Sequence, residues 1–160
     1  MSELSLGIGQ LSKFSAALES LLQDAPELRR AMHTELATEI KKELDISISS
    51  SLNDSNGTVK GWQGTHVGSG GGYAAVRPNK GTAHPPYAHS IGRVTAALER
   101  GHQPPKPGQR GNSGAKYRPR IKLGYIPGRF FYQKTYNAIE TKALVKAEQF
   151  VEQLRRRLEV

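Results

Sequence analysis

The C-terminal part of the chain constrains the fold most, because residues 129–160 contain neither proline nor glycine. Apolar and small residues recur there at every third or fourth position, which is the period of one face of an α-helix. They are Phe131, Thr135, Ile139, Ala143, Ala147, Phe150, Leu154 and Leu158. The pattern predicts a helix whose apolar stripe is about 40 Å long. A sheet or a second long helix is needed to cover it.

Two further helices are predicted in the N-terminal third, one over residues 11–25 and one that starts at Pro26, a residue suited to a first helical turn. In the second helix an apolar residue recurs at every fourth position from Leu28 to Leu52. Such a stripe turns about 40° per step around the axis, so it contacts more than one neighbour. Either the helix wraps a twisted sheet, or its stripe is shared with another subunit. The predicted oligomer interface is Leu36, Ile40, Leu44 and Ile48.

After residue 56 the pattern changes to period two, with glycine and β-branched residues intermixed. This change predicts four strands, over residues 58–67, 73–77, 93–99 and 120–125. The glycine-rich run 68–72 is predicted to be the tip of the first hairpin. We therefore expect a single domain over residues 1–160 that combines long helices with four strands.

Positive charge is concentrated in the middle of the chain. Residues 61–134 hold 12 lysines and arginines and 1 acidic residue, Glu99, a formal charge of +11. Within this segment, residues 102–119 contain four prolines and three glycines, which predict a flexible basic loop. We expect a phosphate-bearing or carboxylate-bearing partner for this charge, and a solvated loop is the alternative. The predicted contact residues are Lys106, Arg110, Lys116, Arg118 and Arg120.

The sequence lacks the patterns of the common catalytic and cofactor sites. There is no cysteine, no pair of histidines with helical metal-ligand spacing and no nucleophile elbow, and the glycine run lacks the lysine of a phosphate-binding loop. We expect no enzyme activity and no cofactor. No apolar run is long enough to form a membrane-spanning helix, so no membrane association is expected.

Two short motifs resemble those of a known family. One consists of Glu99, Gly101 and His102, and the other is a corner into the last helix made of Pro127, Gly128, Arg129, Phe130 and Phe131, which we predict to be structural. Over about residues 27–155 the chain resembles the tail-completion and neck proteins of tailed bacteriophages. It differs from them by the long basic loop 102–119 and by lacking the usual Pro-x-Thr-Gly entry to the hairpin.

This resemblance implies an α+β fold, in which a small, mostly antiparallel sheet of about four strands packs against long N-terminal and C-terminal helices. It also implies a homo-oligomeric ring, a hexamer in our expectation, between a head connector or stopper and a tail terminator or tail tube. Double-stranded DNA passes through such a ring, and six copies of the basic segment would place on the order of +66 of formal charge around it. The implied location is the virion neck, with assembly in the host cytoplasm. The basic loop would then face the DNA channel or an acidic ring partner. The alternative is a nonspecific nucleic-acid-binding module without a ring, although its aromatic residues are not interleaved with the basic ones.

Overall fold

The computed structural model describes residues 8–84, 87–103 and 124–158. Most of these residues are helical, and the fold is α+β with long N-terminal and C-terminal helices. In chain order the elements are α1 (Ile8–Ser51), α2 (Thr58–Gly61), β1 (Gln63–Val67), β2 (Ala74–Pro78), β3 (Thr82–His84), β4 (Tyr87–Ser90), α3 (Ile91–Arg100), β5 (Gly101–His102), β6 (Ile126–Pro127) and α4 (Phe131–Leu158).

The strands form three separate pairs, β1 with β2, β3 with β4 and β5 with β6. The last two pairs are antiparallel. The prediction of one sheet of about four strands is therefore wrong for the part of the chain that the structure describes. The physical reason is that strands β3 to β6 are very short, and each of them pairs with a single neighbouring strand.

The strand predicted over residues 93–99 is helix α3. Ile91 and Thr95 are buried, and Val94 and Leu98 are half-buried, which is the spacing of one helical face. Capping fixes both ends: the Ser90 hydroxyl accepts a hydrogen bond of 3.3 Å from the backbone N–H of Arg93, and Gly101 follows the last turn with φ of 82°. The alternation of Val94, Ala96 and Leu98 suggested a strand. The apolar residues of this segment fit the helical period as well as the period of two, and the capping residues at both ends stabilise the helix.

The two predicted N-terminal helices are one helix, because α1 continues through Pro26. A proline inside a helix removes one N–H and leaves one carbonyl group without its partner. Pro26 and Leu22, whose carbonyl group is affected, are both exposed, so water can solvate that group. Helical structure persists to Ser51.

Residues 58–61, predicted to be strand, form helix α2. The Asp54 carboxylate accepts hydrogen bonds of 3.1 Å from the backbone N–H groups of Val59 and Lys60, which holds the chain in a helical turn before β1 begins. The predicted hairpin at 68–72 is confirmed, and Gly68 N–H donates to the Tyr73 carbonyl at 3.0 Å. Of the predicted strand 120–125, residues 120–123 lie outside the described residues and 124–125 are not in a strand.

The chain divides into two compact units, to both of which α1 and α4 contribute. Unit 1 comprises residues 1–43, 64–77 and 135–160, and its buried side chains include Ala37, Thr135 and Ile139. Here α1 and α4 run antiparallel, as the ion pairs show: Asp24 with Arg157 at 2.7 Å, Glu35 with Lys146 at 3.0 Å, and Glu43 with Lys142. The hydrogen bond that Lys146 donates to Glu35 raises the pKa of Lys146.

Unit 2 comprises residues 44–63 and 78–134. Its buried apolar side chains are Leu44, Ile48, Ile91 and Phe131, and its buried polar side chains are Ser47, Gln63 and Thr95. The strand pairs β3–β4 and β5–β6 and helix α3 all belong to this unit. The single domain expected from the chain length stays a prediction.

Candidate functional site

The two motifs that carry the family resemblance lie against each other in unit 2. Strand β5 pairs with β6, with Gly101 opposite Pro127 and His102 opposite Ile126. Next to this pair, the backbone N–H of Arg129 donates to the Leu98 carbonyl at 2.9 Å, and that of Phe130 donates to the Glu99 carbonyl at 3.1 Å. Residues 98–102 and 125–133 therefore form one hydrogen-bonded assembly, which we call the motif junction.

Two glycines allow the backbones of the motif junction to approach so closely. A Cβ atom at Gly128 would overlap the backbone of Glu99 and Arg100, and one at Gly101 would overlap the carbonyl oxygen of Ile126. Gly101 also has a φ of 82°, which other residues rarely adopt. The Tyr125 hydroxyl completes the contact by donating to the Arg100 carbonyl at 2.5 Å.

Glu99 caps helix α4 from outside that helix. Its carboxylate oxygens accept hydrogen bonds from the backbone N–H groups of Tyr132 at 3.0 Å and Gln133 at 3.3 Å. Phe130, which precedes the helix, has no side-chain oxygen, so Glu99 supplies the acceptor that a helix start needs. Its negative charge also lies at the positive end of the helix dipole. The sequence analysis identified Glu99 as the only acidic residue of its segment but did not assign it this role.

A buried polar network connects α4 to α3 and β1 within unit 2. Gln63 is only 3% exposed. Its amide nitrogen donates to the Val59 carbonyl at 3.1 Å and to the Thr95 hydroxyl at 3.4 Å, and its amide oxygen accepts from the Tyr132 hydroxyl at 2.5 Å. Burial, with a smaller contribution from the nearby Glu99 charge, raises the pKa of Tyr132 to about 12. The sequence pattern contained no signal for this network.

The two aromatic residues of the corner have different environments. Phe131 is fully buried, whereas Phe130 is 52% exposed and is the one described non-glycine residue with positive φ, at 53°. An L-residue in this region is strained by about 1–2 kcal/mol. Backbone strain at an exposed aromatic residue is typical of functional positions. The structural role predicted for the corner thus applies to the side chain of Phe131, and for Phe130 it applies to the backbone alone.

The four residues of the predicted oligomer interface fall into two groups. Leu36 and Ile40 are half-buried, and each keeps some exposed surface. Leu44 and Ile48 are completely buried within the chain. Their side chains therefore have no exposed surface to offer another copy, and the predicted interface reduces to Leu36 and Ile40 at this face of α1.

The five predicted contact residues of the basic loop, Lys106, Arg110, Lys116, Arg118 and Arg120, lie outside the described residues. The described part of unit 2 contains three carboxylates, Asp45, Asp54 and Glu99, and the last two are bound to backbone N–H groups at helix starts. Exposed cationic side chains of the same unit are Lys80, Arg93, Arg100, Arg129 and Lys134. The described surface of unit 2 is therefore basic, like the loop that it flanks in sequence.

The rest of the described structure was searched for metal sites, membrane-spanning helices, buried polar atoms without partners and surface grooves. Among the described residues no group of three or more His, Asp and Glu side chains could hold a metal ion, and no helix is long and apolar enough to cross a membrane. His33 Nδ1 and His66 Nε2 are buried without a hydrogen-bond partner in the described structure. A surface groove of about 500 Å³ follows α1 and α4 in unit 1, and its lining is mostly charged, including Glu39, Lys42 and Lys146.

Comparison of the chain with protein-family models, with curated proteins and with solved structures finds no match.

Proposed function

We propose that this protein is a structural virion protein of a tailed bacteriophage, a ring-forming tail-completion or neck component. Its partners would be further copies of itself, a head connector or stopper on one side, and a tail terminator or tail tube on the other. Double-stranded DNA would pass through the ring, and no catalytic step and no cofactor would be involved.

The observation that carries this proposal is the motif junction. Glu99, Gly101 and His102 resemble one family motif, and Pro127 to Phe131 resemble another that lies well separated from it in the chain. In the structure these residues pair as β5 and β6, and Glu99 caps the helix that the second motif opens. Two chance matches would have no reason to meet, whereas two parts of one structural unit would, so their contact supports the resemblance.

The charge distribution supports the DNA-channel part of the proposal. Residues 61–134 carry +11, and the one carboxylate in this segment is occupied by the α4 backbone. Lysine and arginine side chains on irregular segments suit contact with the phosphate backbone, which is independent of base sequence. Many such contacts around a channel would hold DNA in place and still let it slide.

The proposal is tested by measuring the mass and shape of the purified full-length chain. Mass photometry over a range of protein concentrations, with negative-stain electron microscopy of the same samples, should show closed rings with a central hole that admits duplex DNA. Because a neck protein can need its neighbour to assemble, the measurement is repeated with isolated phage heads that lack tails. Rings in solution or on the head vertex are the expected result.

The alternative function, a nonspecific nucleic-acid-binding module without a ring, is favoured by the same basic segment. It predicts a monomer that binds duplex DNA with a strong dependence on salt and does not bind the head vertex. A monomer under every one of these conditions would overturn the neck assignment in favour of this module.

A further inference from the structure

Two exposed aromatic residues are held in place at the motif junction of unit 2. Tyr125 is 59% exposed and Phe130 is 52% exposed. The Tyr125 hydroxyl donates a hydrogen bond to the carbonyl group of Arg100, and the backbone N–H of Phe130 donates one to the carbonyl group of Glu99. Because Glu99 and Arg100 are consecutive, the two aromatic residues are anchored at neighbouring points of the junction.

Two exposed arginines accompany these aromatic residues. Arg129 directly precedes Phe130, and Arg100 lies 25 residues before Tyr125 in the chain but is bound to it in the fold. Among the described residues neither guanidinium group has a hydrogen-bond or ion-pair partner. Both carboxylate oxygens of Glu99 are bound to the α4 backbone, so they leave the guanidinium groups available to an outside anion. We call Arg100, Tyr125, Arg129 and Phe130 the junction patch.

The charge of this part of the chain favours nucleic acid over protein as the partner of the junction patch. Residues 98–134 contain 9 lysines and arginines and 1 acidic residue, a formal charge of +8. Six of the nine lie between Gln103 and Gly124, the described residues that follow β5 and precede β6. Interfaces with nucleic acid are much more positively charged than those between proteins, whose centres are depleted of charged residues.

We propose that the junction patch binds single-stranded nucleic acid, with bases stacked on Tyr125 and Phe130 and phosphates bound by Arg100 and Arg129. Aromatic side chains stack on the open faces of unpaired bases, and basic side chains beside them follow the backbone. In a duplex the neighbouring base pairs cover these faces, so duplex DNA would use the arginines alone. The inference goes beyond the proposed ring and does not depend on it.

Fluorescence anisotropy with three labelled probes of equal length tests the proposal on the full-length chain. The probes are an oligothymidylate, an abasic strand with the same number of phosphates, and a duplex. The oligothymidylate should bind more tightly than the abasic strand, because only the first has bases to stack. Each stacked base should raise the affinity by about 5-fold to 150-fold. We call the ratio of these two affinities the base preference.

Variants of the two aromatic residues locate the stacking. Tyr125→Leu and Phe130→Leu should each lower the base preference by that factor and leave duplex binding unchanged. Tyr125→Phe keeps the ring and should keep the preference. The matched control is Tyr136→Leu, since Tyr136 is a tyrosine of similar exposure in unit 1. Because the base preference is a ratio measured on one sample, partial loss of folded protein does not change it.

The salt dependence of binding tests the two arginines. Arg100→Gln and Arg129→Gln should each make the salt dependence of oligothymidylate binding shallower, since a phosphate contact on a single strand adds about 0.7 to the slope of log K against log salt. Arg30→Gln, at an exposed arginine of unit 1, is the control and should leave the slope unchanged. Equal slopes in all three variants would contradict the proposed phosphate contacts.

Three results would overturn the proposal. Equal binding of the oligothymidylate and the abasic strand would show contact with phosphates alone. A base preference that persists in both leucine variants would show that the bases bind elsewhere. Weaker binding of tailless phage heads by the leucine variants, with no base preference in the wild type, would assign the junction patch to a protein partner.

The outcome is distinguishable from that of the neck function. Rings in solution or on the head vertex without a base preference would refute the proposed role of the junction patch and leave the neck function standing. A base preference in a chain that forms no ring under either condition would refute the neck function and leave the role of the patch standing.

Discussion

The carboxylate of Glu99, at the end of α3, accepts a hydrogen bond of 3.0 Å from the backbone N–H of Tyr132, 33 residues later in the chain. Its other oxygen accepts from Gln133 at 3.3 Å. One acidic side chain thus sets where the C-terminal helix begins. It also joins the two motifs on which the proposed neck function depends.

Removing this cap should destabilise the protein. Glu99→Ala leaves two N–H groups of α4 without their acceptors, and we expect a loss of about 1–2 kcal/mol in the free energy of unfolding. Glu99→Gln keeps one acceptor but loses the charge, so its loss should be smaller. Chemical denaturation measures both. The control is Glu140→Gln, an exposed residue later on α4, which should be close to neutral. Equal stabilities for Glu99→Ala and Glu140→Gln would contradict the capping role.

Phe131→Ala should lower stability and ring assembly together. The side chain is fully buried, and truncating a buried phenylalanine costs about 3–5 kcal/mol. The neighbouring variant Phe130→Ala is the control, because that ring is half-exposed and its loss should cost far less. Thermal unfolding and mass photometry of the same samples provide the two measurements. Normal stability with lost DNA binding in Phe131→Ala would show that the residue is not structural.

Phe130→Gly should leave the melting temperature unchanged or higher. Glycine relieves about 1–2 kcal/mol of strain at the positive φ of 53°, and the greater freedom of the unfolded chain cancels about 0.5–1 kcal/mol of this gain. If the strained aromatic residue serves partner contact, the same variant should bind the head vertex more weakly. A lower melting temperature would mean that the exposed ring contributes more to stability than its burial indicates.

Stability should fall between about pH 10 and pH 12 because of Tyr132. The phenol loses its proton near pH 10 in the unfolded chain but only near 12 in the folded protein, so above pH 10 the folded state holds more protons and loses stability as the pH rises. Tyr132→Phe should remove this decline, and at neutral pH it should cost about 1–3 kcal/mol because Gln63 loses its donor. Unfolding measured across the range tests both effects, with Tyr136→Phe, an exposed tyrosine, as the control.

Neutralising the basic loop should weaken binding to DNA without lowering the stability of the folded subunit. We expect a nearly unchanged melting temperature for the variant in which glutamine replaces the five basic residues of the loop, Lys106, Arg110, Lys116, Arg118 and Arg120. The salt dependence of duplex DNA binding should become shallower, since each phosphate contact adds about 0.9 to the slope of log K against log salt. The control replaces five exposed basic residues outside segment 61–134: Lys13, Arg30, Lys42, Arg155 and Arg156. Equal losses in both variants would show that net charge, and not the loop, governs binding.

The sequence by itself determined the features that depend on local pattern. The period of the stripe from Phe131 to Leu158 predicted α4. Its first three members, Phe131, Thr135 and Ile139, are buried, whereas the later ones are half-buried and Ala147 is exposed. Glycine-rich residues 68–72 predicted the first hairpin, and the two periods together predicted that the chain contains both helices and strands. These features are encoded by neighbours a few positions apart, so the sequence contains them directly.

Only the tertiary structure decided the features that depend on distant residues. Short segments such as 93–99 satisfy a strand period and a helix period at once, and the caps at Ser90 and Gly101 settled the choice. The Tyr132 hydroxyl reaches Gln63 across 69 residues, and Asp24 reaches Arg157 across 133. No local pattern records such pairs, because their partners become neighbours only when the chain has folded.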